Sequence, residues 1–293
     1  MPRVLGQIFL FVIPVLAGNL GAAYGQEEAT RELPEQGRSL SEPLSDEENE
    51  TALDEFVPPS ETAKKAFAEP PESRRLSDRN VWIDREKQRV YADAYVAMED
   101  GVLEMFACPA GTKEHESVIA TIAKSSELHT ALLAVGAKSG TPVTYDPNFV
   151  PATGQRIRIW ICYYDKDDKF RAVDGRSWVQ SIATKKELKT DWVFGGSSFW
   201  KDPDSGKEYY QADAGDMICV SNFSTAMLDL PITSSAQADD LLYQPFTKRI
   251  PERGTPVRLV MVPIAIPSDN PSAEKPKADS ETPPGKEILA KKK

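Results

Sequence analysis

The chain has 293 residues, with 45 Asp or Glu against 35 Lys or Arg, so its formal net charge is −10. A net negative charge disfavours nucleic acid and other polyanions, and we expect no nucleic-acid partner. The chain contains only two histidines and three cysteines, which limits the residues available for metal or thiol chemistry.

The N-terminal segment has the pattern of a secretory signal peptide. Arg3 precedes an apolar run from Val4 to about Gly18, and small residues follow this run. The run is shorter than the ~20 residues of a membrane-spanning helix. We therefore predict a signal peptide over residues 1–25 that is cleaved after Gly25, with no transmembrane span after cleavage. This predicts an exported protein in the periplasm or at the cell surface; an uncleaved N-terminal anchor is the alternative.

Residues 26–79 have a different composition from the apolar segment before them. They hold 15 acidic against 7 basic residues, a net charge of −8, together with Pro, Ser and Gln. Such a segment cannot bury enough apolar surface to offset the entropy lost on ordering. We predict a disordered acidic linker over 26–79 and, by the same argument, a disordered tail over 268–293.

The remaining residues, 80–267, are enough for one hydrophobic core and fall within the usual size of a single domain. Short β-like runs separated by turn residues dominate this region. Three hairpins and a closing strand are predicted, over 81–98, 157–173, 192–213 and 255–264.

Two short helices are predicted beside these strands. Over 125–136 the apolar residues recur at helical spacing, Ser125 or Ser126 can cap the start, and Gly136 suits a C-terminal position with positive φ. A shorter helix is predicted within 222–231, which a proline ends. The combination predicts an α+β fold, a predominantly antiparallel β-sheet domain built from hairpins with one or two short helices packed on it.

The stretch FACPAGTKEHES, residues 106–117, brings a cysteine and a histidine close together in sequence. Folded as a hairpin around its Pro-Ala-Gly turn, it would place Cys108 opposite His115, with Cβ atoms about 5 Å apart. One hypothesis is a Cys-His hydrolase or transferase, in which Cys108 is the nucleophile, His115 the base and either Glu116 or Glu104 an orienting group. A second hypothesis is a metal or redox site formed by Cys108, His115 and His129.

The cysteine count also limits the cofactors that these hypotheses allow. A transition metal is the candidate cofactor, whereas an iron-sulfur cluster usually takes four ligands at characteristic spacings, and the chain has three cysteines and no C-x-x-C. The sequence contains no Gly-rich phosphate loop or other nucleotide motif. Cys162 and Cys219 lie in strand-like apolar runs and are predicted to be buried, although a bridge between Cys108 and Cys219 is an open alternative.

Aromatic residues are concentrated in the central third of the domain. Cross-strand pairing within the sheet explains them, and a groove that stacks on a flat ligand, such as a sugar ring or a peptide, is the alternative. These residues are Trp160, Tyr163, Tyr164, Trp178, Trp192, Phe194, Phe199, Trp200, Tyr209 and Tyr210.

Four runs, GVLEMFACPAGTKEHESVIA, LHTALLAVGAKSG, WVFGGSSFW and MICVSNFSTAMLDLP, together resemble the YdjY-like domain of exported bacterial proteins. The resemblance covers about residues 80–262, and its most specific parts are 113–117 and the helix that contains His129. The family has no established biochemical activity, so the resemblance implies an architecture and an exported location. We therefore expect a non-catalytic binding or interaction module whose partner is an envelope protein or a small ligand, with the metal or redox site and the Cys-His enzyme as alternatives.

Overall fold

The computed structural model describes residues 57–235, 240–267 and 279–292. Within these residues the α-helices are α1 (Pro59–Ala66) and α2 (Ser125–Ala134). The strands are β1 (Arg74–Ser77), β2 (Val81–Asp84), β3 (Arg89–Val96), β4 (Met105–Pro109), β5 (Ser117–Thr121), β6 (Arg156–Tyr164), β7 (Phe170–Asp174), β8 (Val179–Ser181), β9 (Trp192–Phe194), β10 (Phe199–Lys201), β11 (Glu208–Tyr210), β12 (Ile218–Cys219), β13 (Leu228–Asp229), β14 (Tyr243–Pro245) and β15 (Pro256–Pro263).

Eight strands form a closed barrel in the order β3-β15-β6-β9-β13-β12-β4-β5, and β5 pairs back to β3. Neighbouring strands are antiparallel except for two parallel pairs, β12 with β13 and β4 with β5. Strands β1 and β2 continue the sheet beyond β3, and β7 pairs with β6 outside the ring. The prediction of a β-rich, mainly antiparallel fold is confirmed, but the sheet is a closed mixed barrel and not a simple sheet of hairpins.

The local alternation of apolar residues predicted several elements correctly. The hairpins β2–β3, β6–β7 and β10–β11 lie where they were expected, and β15 closes the domain between β3 and β6. In β6, Ile157, Ile159 and Ile161 join the main core, whereas Trp160 and Cys162 belong to a separate apolar cluster. Because strand side chains alternate between faces, one strand supplies both clusters.

The main core takes buried side chains from all eight barrel strands and from α2. Phe106 of β4 and Trp192 of β9 meet within it, with ring centroids 5.0 Å apart. The Trp192 indole nitrogen donates a hydrogen bond to the backbone oxygen of Cys219 at 2.9 Å, so its one polar group is satisfied. Full burial of one such large side chain stabilises the fold by about 2 kcal/mol.

Helix α2 is confirmed, but its start is capped differently from the prediction. The Asp213 carboxylate accepts a hydrogen bond from the Ser126 backbone amide at 2.8 Å, and the Ser125 hydroxyl donates to the backbone oxygen of Ala212. The Glu127 carboxylate also accepts from the Lys124 backbone amide at 2.8 Å, so the helix start is held by a local and a distant carboxylate rather than by a serine cap. Gly136 follows its end with a φ of +91°, as predicted.

The helix predicted within 222–231 is wrong, because this region contributes β13 to the barrel. The Asn222 side chain donates to the Asp229 carboxylate at 3.0 Å and to the backbone oxygen of Leu230 at 3.1 Å, which fixes an irregular loop. Leu228 then pairs with Ile218 of β12 in the parallel register. Closure of the sheet overrides the local helical tendency of these residues.

Ordered structure extends beyond the predicted domain limits of 80 and 267. Residues 57–79 contain α1 and β1, and residues 279–292 pack against the sheet, so the prediction of disorder is corrected for both segments. Their average composition is polar, but each carries a few apolar side chains that reach the sheet. The predicted signal peptide 1–25, the rest of the linker and residues 268–278 lie outside the described residues.

Arg258 connects both flanking segments to the outer face of the barrel. This fully buried side chain pairs with Asp93, with Nε 2.7 Å from the carboxylate, and Asn80 also donates to Asp93 at 2.9 Å. Its Nη1 donates to the backbone oxygens of Ala68 and Ile288. One buried guanidinium therefore joins the barrel, the segment before β1 and the C-terminal segment.

Candidate functional site

The predicted pairing of Cys108 with His115 is wrong. Strands β4 and β5 run parallel, and Cys108 lies opposite Ala120. His115 lies in the connection, within the short 3₁₀ helix Glu114–Glu116, and its side chain is 77% exposed. Parallel strands are usually joined by a connection of a dozen or more residues, so residues 110–116 favoured a hairpin by length alone.

Cys108 does not have the surroundings of a nucleophile. It packs in an outer apolar cluster with Ala63, Tyr95, Ala97 and Ala120, and burial raises the pKa of its thiol. A raised pKa leaves the thiol protonated at neutral pH, and the thiolate is the reactive form. The geometry that supported the Cys-His hypothesis is therefore absent from the described structure.

The carboxylate proposed to orient the base has other partners. Glu116 lies 3.5 Å from the Lys113 ammonium, and His115 approaches Glu116 only at 4.0 Å. Lys113 also contacts the Asp216 carboxylate at 3.0 Å. Glu116 belongs to a partly buried ion-pair group and does not orient a base toward Cys108.

His129 lies apart from both of the other metal candidates, beneath strand β11. Its Nδ1 lies 2.8 Å from the Tyr210 hydroxyl oxygen, and its ring meets Phe194 edge-on at 4.8 Å. Because the Tyr210 hydroxyl donates to the backbone oxygen of Gly196 at 3.0 Å, its oxygen accepts a hydrogen bond from Nδ1–H of His129. Burial lowers the pKa of His129, which favours the neutral ring.

Cys108, His115 and His129 thus have three separate sets of neighbours. Within the described residues, no group of three or more His, Cys, Asp or Glu side chains is arranged to hold a metal ion. The structure therefore gives no geometric support to the metal hypothesis. All three cysteines are buried and free of disulfides, which confirms the burial predicted for Cys162 and Cys219.

The most prominent surface feature is the aromatic hairpin, defined as residues 199–210, which contains β10, β11 and their turn. Trp200 and Tyr209 are directly opposite each other, with ring centroids 5.9 Å apart and ring planes inclined by 32°. They are 49% and 43% exposed, and Phe199 is 69% exposed. Large apolar side chains that cluster in water mark interaction surfaces more often than single exposed ones do. The predicted cross-strand pairing is confirmed, and its exposure makes it a candidate binding surface.

The base of the aromatic hairpin is held firmly against the barrel. Tyr210, opposite Phe199, is buried and hydrogen-bonds both Gly196 and His129. The backbone oxygen of Ser198 accepts a hydrogen bond from the Gln211 backbone amide at 3.0 Å, and the Ser198 hydroxyl donates one to the side-chain oxygen of Gln211 at 2.5 Å. His129 is therefore a supporting residue of this surface, a role that the sequence did not suggest.

Asp229 is a second unusual group, and sequence reasoning missed it. It is fully buried; its Oδ1 accepts hydrogen bonds from Asn222 at 3.0 Å and from the Leu230 amide at 2.7 Å, whereas Oδ2 has no partner among the described residues. Burial raises the pKa of Asp229 to about 7. The signal available in the sequence was a lone carboxylate inside the apolar run 226–230.

These observations define a β-rich barrel domain that presents an exposed aromatic hairpin. The family model described as the YdjY domain matches residues 81–262, and the chain belongs to this family. No curated protein and no solved structure matches the chain. Among the described residues, no helix is long and apolar enough to cross a membrane.

Proposed function

We propose that this protein is an exported, non-catalytic binding module of the cell envelope, which holds its ligand on the aromatic hairpin. The observation that carries the proposal is the exposed Trp200–Tyr209 pair, displayed on a ribbon whose base is fixed by buried hydrogen bonds. Its export is supported by the signal-peptide pattern of residues 1–25.

Exposed aromatic rings favour a ligand that can cover them. Removing the exposed half of one such ring from water contributes about 1 kcal/mol, and the two rings together offer a wider apolar platform. The rigid base limits the ordering entropy lost on binding, because Tyr210 and His129 already fix the ribbon. This preorganisation is typical of a surface that binds a ligand.

The charges around the rings favour an uncharged ligand with flat apolar faces. The hairpin carries two cations and three anions, and one of the cations lies over the Tyr209 ring at 4.9 Å. Sugar rings combine flat C–H faces with hydroxyl groups that these charged side chains can hydrogen-bond, so we assign the ligand class as neutral envelope glycans. The charged residues are Lys201, Asp202, Asp204, Lys207 and Glu208.

The experiment is a binding screen of the mature protein on an array of neutral hexose and N-acetylhexosamine oligosaccharides. We expect at least one glycan to bind, and Trp200→Ala and Tyr209→Ala each to weaken it about fivefold to tenfold. Val102→Ala is the matched control, because it removes an exposed apolar side chain outside the aromatic hairpin. An array without any bound glycan, or binding that survives the double substitution, would contradict the proposal.

A further inference from the structure

The C-terminal segment, residues 279–292, lies in a groove on the outer face of the barrel. Its Ile288 and Leu289 side chains are buried there, whereas most of the segment remains exposed. We call this surface the outer groove. It is lined by Phe67, Trp82, Tyr91, Trp160, Cys162 and Val260.

The outer groove contacts the backbone of the segment, which forms the short 3₁₀ helix Lys286–Leu289 followed by a single bridge to the residues before β1. The Ala68 amide donates to the backbone oxygen of Ala290 at 2.7 Å, and Phe67 and Lys291 form an antiparallel bridge. The buried Arg258 guanidinium donates to the backbone oxygen of Ile288. Backbone contacts of this kind supply affinity for a bound peptide, and the side chains buried in the groove supply specificity.

Charged contacts near the two ends of the segment fix its direction. Near its beginning, Glu281 lies 3.2 Å from Arg158, and the Trp160 indole nitrogen donates to the backbone oxygen of Ser280 at 3.3 Å. Near its end, the Lys291 ammonium contacts the Asp168 carboxylate at 2.5 Å. An acidic residue, an aliphatic pair and a basic residue therefore meet complementary partners in that order.

Residues 268–278, which join the segment to the barrel, contain no large apolar side chain that could be buried. Their sequence is SDNPSAEKPKA, which can span roughly 40 Å when extended. A connection of this length gives an effective local concentration in the millimolar range. Occupancy of the outer groove in cis thus requires only modest intrinsic affinity.

We propose that the outer groove is a peptide-binding site, and that residues 279–292 are a dissociable ligand that occupies it in cis. Its recognition chemistry is a peptide with an acidic residue, an aliphatic pair buried from a single 3₁₀ turn, and a basic residue, in that order. The two buried aliphatic side chains and the backbone hydrogen bonds, less the cost of association, support a dissociation constant on the order of 0.1 mM for the free peptide. This site is distinct from the aromatic hairpin and does not depend on the glycan proposal.

The test uses the full chain with a protease site placed within 268–278. After cleavage and dilution to about 1 µM, well below that dissociation constant, the fragment should dissociate and Cys162 should react with a thiol reagent. Cys162 reports opening because it is buried in the outer groove. After removal of the released fragment, the cut protein titrated up to about 1 mM should bind a fluorescent peptide of residues 279–292 with half-saturation near 0.1 mM, and the uncut protein should bind it about tenfold more weakly.

Two peptide variants test whether the recognition depends on sequence. Ile288→Asp with Leu289→Asp should weaken binding at least tenfold, because two charges would enter the apolar groove. Thr282→Ala is the matched control and should bind like the parent peptide, since Thr282 is exposed. The proposal is overturned if the cut protein loses its near-ultraviolet circular dichroism when the fragment leaves. It is also overturned if the fragment never exchanges or if the free peptide does not bind.

Discussion

Replacing Asp229 with Asn should stabilise the protein above neutral pH and have little effect in acid. The Asp229 carboxylate is buried with one oxygen that has no partner among the described residues, and burial raises its pKa to about 7 from an ordinary value of 3.8. The native state therefore holds this proton more tightly than the unfolded state does. Between about pH 4 and pH 7 the protein loses stability as pH rises, and above that range the loss is complete.

The magnitude follows from the same two values. A pKa change from 3.8 to about 7 corresponds to about 4 kcal/mol of cost for the ionised form, at about 1.4 kcal/mol for each tenfold step. Asn keeps the size of the side chain and an oxygen that can accept from Asn222 and Leu230, and it carries no charge. At pH 8 we expect a gain of about 1–4 kcal/mol in the free energy of unfolding, and at pH 4 a change close to zero.

The assay is urea unfolding of the wild type and of Asp229→Asn at pH 4, 6 and 8. The matched control is Asp204→Asn, because Asp204 is exposed in the turn of the aromatic hairpin and its removal should leave the pH dependence unchanged. If Asp229→Asn is destabilised equally at all three pH values, ionisation of Asp229 has no measurable effect on stability and the reasoning fails; a loss that grows from pH 4 to pH 8 would show that the ionised carboxylate is stabilising.

Three other predictions follow from the fold. Arg258→Met should lower the free energy of unfolding by about 3–5 kcal/mol, because it leaves the Asp93 carboxylate buried without its ion-pair partner. Adding Asp93→Asn should recover part of this loss, as measured by urea unfolding of the single and double variants. If the two losses simply add, the reasoning is wrong. His129→Ala should lower the melting temperature and weaken ligand binding by loosening Tyr210, an effect that an unchanged binding curve would contradict. Intact mass of protein from its native envelope should show a chain that begins after Gly25, and a retained Met1 would disprove that cleavage.

The alternation of side chains along the sequence predicts best those strands whose two faces pack against different parts of the protein. β6 and β15 alternate between the main core and the outer groove, so their pattern was visible in the sequence. The pairing of β4 with β5 was not visible, because alternation does not distinguish a parallel from an antiparallel neighbour and the short connection favoured a hairpin. Closure of the barrel depends on that long-range pairing.

The flanking segments escaped prediction for a different reason. Their order depends on a few buried side chains, such as Ala63, Ile288 and Leu289, and on backbone hydrogen bonds that composition does not reveal. A lone Arg258 within an apolar strand was the available signal, because a charge placed there requires a buried partner. The family match ends at residue 262 and leaves both segments outside it.

The aromatic hairpin was predictable in part. Its turn residues and the cross-strand positions of Trp200 and Tyr209 follow from the sequence, and both are confirmed. The exposure of these rings was not predictable, since the same pattern also fits a buried sheet. The support given by His129 depends on the packing of α2 against a strand far along the chain, which no local pattern encodes.

Binding of a ligand to the aromatic hairpin can be observed by nuclear magnetic resonance of the indole N–H signals during titration with a glycan that the array identifies. We expect the Trp200 signal to move first and furthest, while that of the buried Trp192 stays in place. A titration that shifts Trp192 or other core signals and leaves Trp200 unmoved would show that the ligand binds elsewhere, and the proposed role of the aromatic hairpin would then be wrong.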